Sequence, residues 1–183
     1  MFGRPTIYDA TTLRNFGTIG RLDLCQIFSE NTALPRWTSE VCEEITRAAE
    51  ELDEACGRVY LATWLGEPVC PTDHDLLGII DLQIELGDGP NRNAGEAESM
   101  YFAEKLGYVF ATDDNAAYRF AASRPALGLE RVIDTVDILT AVVRGNVLSC
   151  EDAAALCSDM RAAGRSLRRR HPWPIEPRYF QTG

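Results

Sequence analysis

Short, β-prone apolar runs alternate with helical stretches along this chain, and the runs end on acids. Thr6-Ile7-Tyr8 follows Pro5 and stops at Asp9, Tyr108-Val109-Phe110-Ala111 leads to Asp113 and Asp114, and Val132-Ile133-Asp134 is a further such run. Short apolar runs bounded by turn residues read as buried strands. Val59 to Ala62 is read as a further strand. Between these runs the spacing predicts helices. Thr11 to Phe28 carries Leu13, Phe16, Ile19, Leu22, Leu24 and Ile27 with Gly17 and Gly20 among them, which predicts one or two short helices with a glycine break. Thr38 or Ser39 caps a helix that runs to about Ala55. Pro71-Thr72-Asp73 opens another, with Leu76, Leu77, Ile80 and Ile84 marking its apolar face, and Leu86 to Ala94 is a turn-rich loop. Further helices are expected from Gly95 to Leu106 (closed by Gly107), from Asn115 to Ala122, from Asp137 to Arg144 and from Ser149 to Ala163. Strands alternating with helices predict an α/β fold, a parallel sheet with helices on both faces. Ligands of such folds gather beyond the carboxyl ends of the strands, where Asp9 and the Asp113/Asp114 pair fall.

Composition narrows the function classes. Among 183 residues, 18 are basic and 28 acidic, a formal charge of −10, which argues against holding nucleic acid by bulk charge. No run of about 18 apolar residues exists, so no membrane span is expected. The opening MFGRPTIYDA lacks the basic stretch and apolar core of a signal peptide, and a cytoplasmic location follows as the expectation. The six cysteines are scattered without a CxxC pair, and the only histidines are His74 and His171, which suits free thiols rather than a zinc site. What matters is whether the acidity is diffuse or partly convergent.

Singly, the acids have ordinary explanations: Glu96 suits the positive end of a helix dipole, and Asp114 is a natural helix cap. Their order along the chain says more. IYDATTLRNF with a following LDL, LPRWTSEVCEEI, AGEAESMYFAEKLGYVFATDD and IDTVDILTAVVRGNVL together resemble the PIN domain family, most closely the bacterial and archaeal branch that contains the VapC-type toxins. The resemblance covers about residues 5 to 163. It implies a three-layer α/β/α sandwich with a central parallel sheet, in which carboxylates at one end of the sheet hold one or two Mg²⁺ or Mn²⁺ ions and RNA phosphodiester bonds are hydrolysed. Carried over by motif, Asp9 is the first acid, Glu44 the second with Glu43 and Glu40 as rivals, Glu96 the third with Glu98 beside it, and Asp114 the fourth with Asp113 as the neighbour that can substitute. Thr11 falls where the family often has a hydroxyl near the metal, and Asn115 and Arg119 are candidates for the cleft or for RNA contact.

The chemistry agrees with the resemblance. Mg²⁺ prefers hard oxygen ligands, and a divalent cation relieves the repulsion of clustered carboxylates. The chain is divided into a PIN-like domain over 1–163 and a basic, proline-containing tail over 164–183. In that tail Arg165, Arg168, Arg169, Arg170 and His171, with Trp173 and Tyr179 nearby, either contact nucleic acid or dock onto the globule. The expected partners are RNA as substrate, an antitoxin protein as in the toxin relatives, and a second copy of the chain in a homodimer. Two rivals remain. A haloacid-dehalogenase-like phosphatase would need a second Asp where Thr11 stands, and a PIN-like binding module without catalysis would not need all four acid positions filled.

Overall fold

The computed structural model of the chain describes residues 4–29, 36–87, 93–168 and 170–181. Its centre is a parallel three-stranded sheet in the order β1 (Thr6–Tyr8), β2 (Val109–Ala111), β3 (Val132–Ile133). Tyr8 pairs with Ala111 and Ala111 with Ile133, so the residues that follow the three strands emerge side by side at one edge of the sheet. Those residues are Asp9, Thr112 and Asp134.

Side-chain alternation along the strands creates two cores. Ile7, Phe110 and Val132 face one side, where they meet Ala97, Met100 and Ala103 of α6 (Ala94–Leu106), Ala117 and Ala121 of α7 (Asn115–Ser123), and Ile79 and Leu82 of the helix Asp73–Leu86, here α5. Tyr8, Val109, Ala111 and Ile133 face the other side. There they meet α1 (Ala10–Thr18), α2 (Leu22–Phe28), α3 (Ser39–Glu50), α4 (Glu54–Tyr60), α8 (Thr135–Arg144) and α9 (Cys150–Ala162). Helices on both faces of a parallel sheet make the three-layer α/β/α sandwich that the alternation predicts.

Three local expectations are corrected. The run Val59 to Ala62 is no strand: Val59 lies in α4 and is buried against α1, and Leu61 is 75% exposed. A four-residue apolar run has no period of its own, so its packing decides. The helix from Ser39 stops at Glu50 rather than near Ala55, because Leu52 takes a left-handed φ of 68° and the Asp53 side chain caps α4 at the Cys56 amide, 3.0 Å away. On α5 the expected apolar face points outward: Leu77 and Ile84 are 74% and 72% exposed, and Leu76 and Ile80 are also open, while Ile79 and Leu82 enter the core. Gly78 decides that rotation, since a Cβ there would meet the Tyr101 ring at 2.5 Å. The loop expected over 86–94 lies largely outside the described residues, as does Arg169.

The break between α1 and α2 falls at Gly20, with φ of 66°. Gly17 has a different use. Its missing Cβ would lie 2.6 Å from the Ala55 carbonyl oxygen, so only glycine allows α1 and α4 to approach this closely. The six cysteines are free, and Cys157 packs in the core with Cys150 at its edge. Leu167, Ile175 and Phe180, from the basic and proline-containing segment, enter the same apolar cluster as α1 and α9. Among the described residues no helix is long and apolar enough to cross a membrane.

Candidate active site

Asp9 is the hub of the site. It follows β1 and starts α1, accepting the Ala10 amide at 2.8 Å through Oδ1. Its Oδ2 accepts the Thr11 hydroxyl at 2.6 Å and the Thr112 hydroxyl at 3.0 Å. Only 1% of the residue is exposed. Burial pushes its carboxyl above the ordinary range, the three hydrogen bonds pull it back, and Asp114 adds repulsion. Two threonines thus fix one oxygen of this carboxylate and favour its charged form against burial. Both also hold the neighbouring strand end, because the Asp113 amide donates to Thr11 Oγ1 (3.2 Å) and the Asp114 amide to Thr112 Oγ1 (3.1 Å).

Asp114 caps α7, with Oδ1 accepting the Ala116 and Ala117 amides at 2.7 Å each. Glu96 lies in the first turn of α6. Its carboxyl is pushed up to about 8, first by burial and then by the charges of Asp9, Glu44 and Asp114. Glu44, half exposed on α3, is raised by burial and by Asp9 and steadied by Arg14 and Arg47. Asp9, Glu44, Glu96 and Asp114 therefore share one electrostatic field, though they come from four separate segments. The start of α6 lies close on α3 here: a Cβ at Gly95 would stand 3.8 Å from Glu44 Oε2.

The doubled acids separate by their surroundings. Glu98 is buried and turned to α3, where Oε1 accepts the Ser39 amide (3.1 Å) and hydroxyl (2.6 Å). It caps α3 and so sets Glu44 against Glu96. Glu40 and Glu43 are exposed on α3. Asp113 accepts Thr12 Oγ1 (3.0 Å), Thr135 Oγ1 (2.5 Å) and the Thr135 amide (3.2 Å), and is pushed up to about 7 by burial and then by Asp134. Its strongest charged neighbour is Asp134, not the group of four. Even so, Asp113 and Asp114 both line a cleft of about 330 Å³, together with Thr11, Arg14, Asn15, Asn115 and Arg165. Arg119 is exposed one turn along α7 and donates to the Asn115 carbonyl at 3.1 Å.

A second centre lies beside the first. Asp134, fully buried, caps α8 through Oδ1 and accepts Arg170 Nε (2.9 Å) and His171 Nε2 (2.8 Å) on Oδ2, with Arg168 at 3.6 Å. His171 Nδ1 also meets the Tyr179 hydroxyl at 2.8 Å, and the Arg168 guanidinium stacks 3.1 Å over the Tyr118 ring. Arg168, Arg170 and His171 are thus committed to the globule. Burial and buried acids draw basic side chains inward in a way that no local spacing signals. Sequence reasoning also passed over Arg14 and Asn15, three and four residues past Thr11 on α1. That spacing alone puts both on the helix face of Thr11.

The donor set suits a hard divalent cation: carboxylate oxygens, one pre-fixed by two hydroxyls, and a Glu96 raised by burial and then by the neighbouring carboxylates. Among the described residues no three acid, histidine or cysteine groups stand close enough to form a ready coordination set, so the four acids share a field without closing on one point. No curated protein and no solved structure matches the chain significantly. The model of the DUF3368 family, described as a PIN domain, matches residues 5–171. PIN domains are generally nucleases and typically use divalent metals. That match spans nearly the whole globule, including the three described strands and Asp9, Glu44, Glu96 and Asp114, and the chain belongs to the PIN domain family.

Proposed function

We propose that the chain is an endoribonuclease that depends on Mg²⁺ or Mn²⁺ and hydrolyses RNA phosphodiester bonds through Asp9, Glu44, Glu96 and Asp114. The observation that carries this reading is the gathering of these acids about Asp9 beyond the end of β1, with Glu96 raised first by burial and then by the charges of Asp9, Glu44 and Asp114. Asp9, Glu96 and Asp114 are the residues that would hold the cation, with Asp113 lining a cleft beside Asp114. A bound divalent ion would supply an acidified water and neutralise charge on the leaving oxygen. The protein's own part is orientation: Thr11 and Thr112 aim Asp9, Glu98 fixes α3 against α6, and Asn115 faces the cleft. No side-chain nucleophile is called for. The chain's two histidines are placed accordingly, His171 bound to Asp134 and His74 on α5.

Within this reading the chain would be the toxin of a toxin–antitoxin pair, restrained by a protein that covers the cleft, and would act as a homodimer. The deciding assay is cleavage of a mixed RNA substrate in Mg²⁺ or Mn²⁺ by wild type, by Asp9→Asn and by wild type in EDTA. Cleavage by wild type alone is expected. Activity that survives both the substitution and the chelator would sink the metal mechanism, and failure to cleave any RNA would favour a binding module. Co-purification with the product of an adjacent gene tests the antitoxin, and light scattering tests the dimer.

A further inference from the structure

A cleft lined by carboxylates repels a polyanion, so a nuclease of this charge needs local cations beside it. Two arginines occupy that position. Arg14, on α1, places one guanidinium nitrogen 2.9 Å from Asp53 Oδ2 and another 3.8 Å from Glu44. Arg165, just after α9, donates Nε to Thr18 Oγ1 at 2.8 Å and lies 3.7 Å from the same Asp53 oxygen. Both stay partly open, at 31% and 26% side-chain exposure.

Their location is distinctive. Arg14 and Arg165 line the acidic cleft with Asp114 and Asn115, and they equally line a second trough of about 470 Å³ that continues past Thr18 and Asp53 to Arg58. Asp53 is shared by both guanidinium groups, Arg165 standing 3.7 Å from it and Arg14 dividing its charge between Asp53 and Glu44, and a planar guanidinium pairs with phosphate through two parallel hydrogen bonds. Arg58 extends the line but is engaged by the Gly17 and Thr18 carbonyls. Arg168 and Arg170 are held on Asp134 and Tyr118, which leaves Arg165 as the described arginine of the basic cluster that faces the cleft.

We propose that Arg14 and Arg165 form a binding site for the phosphate adjoining the scissile one in an RNA strand, with Asp53 holding the pair in place until phosphate displaces it. This rests on the ribonuclease reading. The strand would pass the point where the two hollows adjoin, its reacting phosphate towards the four acids and its neighbour on the arginine pair.

The test measures binding of a labelled single-stranded RNA by fluorescence anisotropy, with the full chain in Mg²⁺ and Asp9→Asn as the background that prevents turnover. Arg14→Gln and Arg165→Gln are each expected to weaken binding roughly tenfold and to lower the slope of log K against log salt by about 0.7, the value of one lost single-strand phosphate contact. Arg178→Gln, on an exposed side chain paired with Glu176, should change neither. Asp53→Asn keeps the α4 cap and should bind at least as tightly as its parent. In the Asp9-containing enzyme both arginine variants should raise KM far more than they lower kcat. Thermal midpoints report folding, and Arg14→Lys, which keeps the charge but loses the fork, should fall between wild type and Arg14→Gln. Unchanged affinity and salt slope in both arginine variants, while wild type binds and cleaves RNA, would overturn the arginine site alone. If wild type neither binds nor cleaves RNA, the ribonuclease reading falls and takes the site with it.

Discussion

Glu96→Gln tests the convergence of the acids without any substrate. The Glu96 carboxyl, ordinarily near 4.5, is pushed up to about 8 by burial and by Asp9, Glu44 and Asp114. Between those values the folded chain keeps a proton that the unfolded chain has released. Stability from this group is therefore greatest below pH 4.5 and is lost as pH climbs towards 8. Each tenfold change in proton activity is worth about 1.4 kcal/mol, so at pH 7 the penalty is on the order of 3 kcal/mol. Glutamine has nearly the same shape and no charge to suppress. Glu96→Gln should then be more stable than wild type at pH 7 by roughly 3 kcal/mol, or about 6–12 °C in a chain of this size, and the advantage should shrink towards zero near pH 4.5. The assay is urea and thermal denaturation of both proteins from acid to mildly alkaline pH, in EDTA and in Mn²⁺. Mn²⁺ should stabilise wild type increasingly as pH rises and should stabilise the variant much less, because the ion replaces the proton. A variant no more stable than wild type at pH 7 to 8, or a difference independent of pH, would refute the shared field.

Two further outcomes check the frame around the site. Gly17→Ala drives a Cβ to 2.6 Å from the Ala55 carbonyl, a backbone atom that cannot rotate away, and should cost roughly 1–3 kcal/mol in urea denaturation with α1 displaced from α4. Asp134→Ala removes the shared partner of Arg170 and His171 and the cap of α8; breaking a buried ion pair of this kind costs roughly 3–5 kcal/mol, and amide exchange should show the segment after α9 loosened first. Retention of full stability by Asp134→Ala would mean that the basic segment is held by its apolar side chains alone.

Much of the site was legible because its acids sit at punctuation points. Asp9 and Asp114 each follow a β-prone run and start a helix, so chain order alone put these two at the sheet edge, while Glu96, at the start of a helix that Gly107 closes, was assigned to the site only by the family resemblance. Glu44 stands mid-helix on α3 among Glu40 and Glu43, where only the approach of α6 selects it. The same blindness explains α5. Leu76, Leu77, Ile80 and Ile84 form a regular stripe, yet the core takes Ile79 and Leu82, because Gly78 admits the Tyr101 ring and fixes the helix rotation.

By itself the sequence determined the layer order, the parallel sheet and the carboxyl edge where chemistry would gather, since these follow from short-range periodicity and capping that each segment carries locally. Only the tertiary structure decided how the members of the Glu96/Glu98 and Asp113/Asp114 pairs divide. Glu98 goes to the Ser39 cap and Asp113 to Thr12 and Thr135, while Glu96 and Asp114 join the shared field. It also decided the fate of the basic cluster, sending Arg170 and His171 to Asp134 and leaving Arg165 beside Arg14 on Asp53. Those choices depend on burial and on charges brought together from distant parts of the chain, and such long-range electrostatics leaves no mark on local spacing.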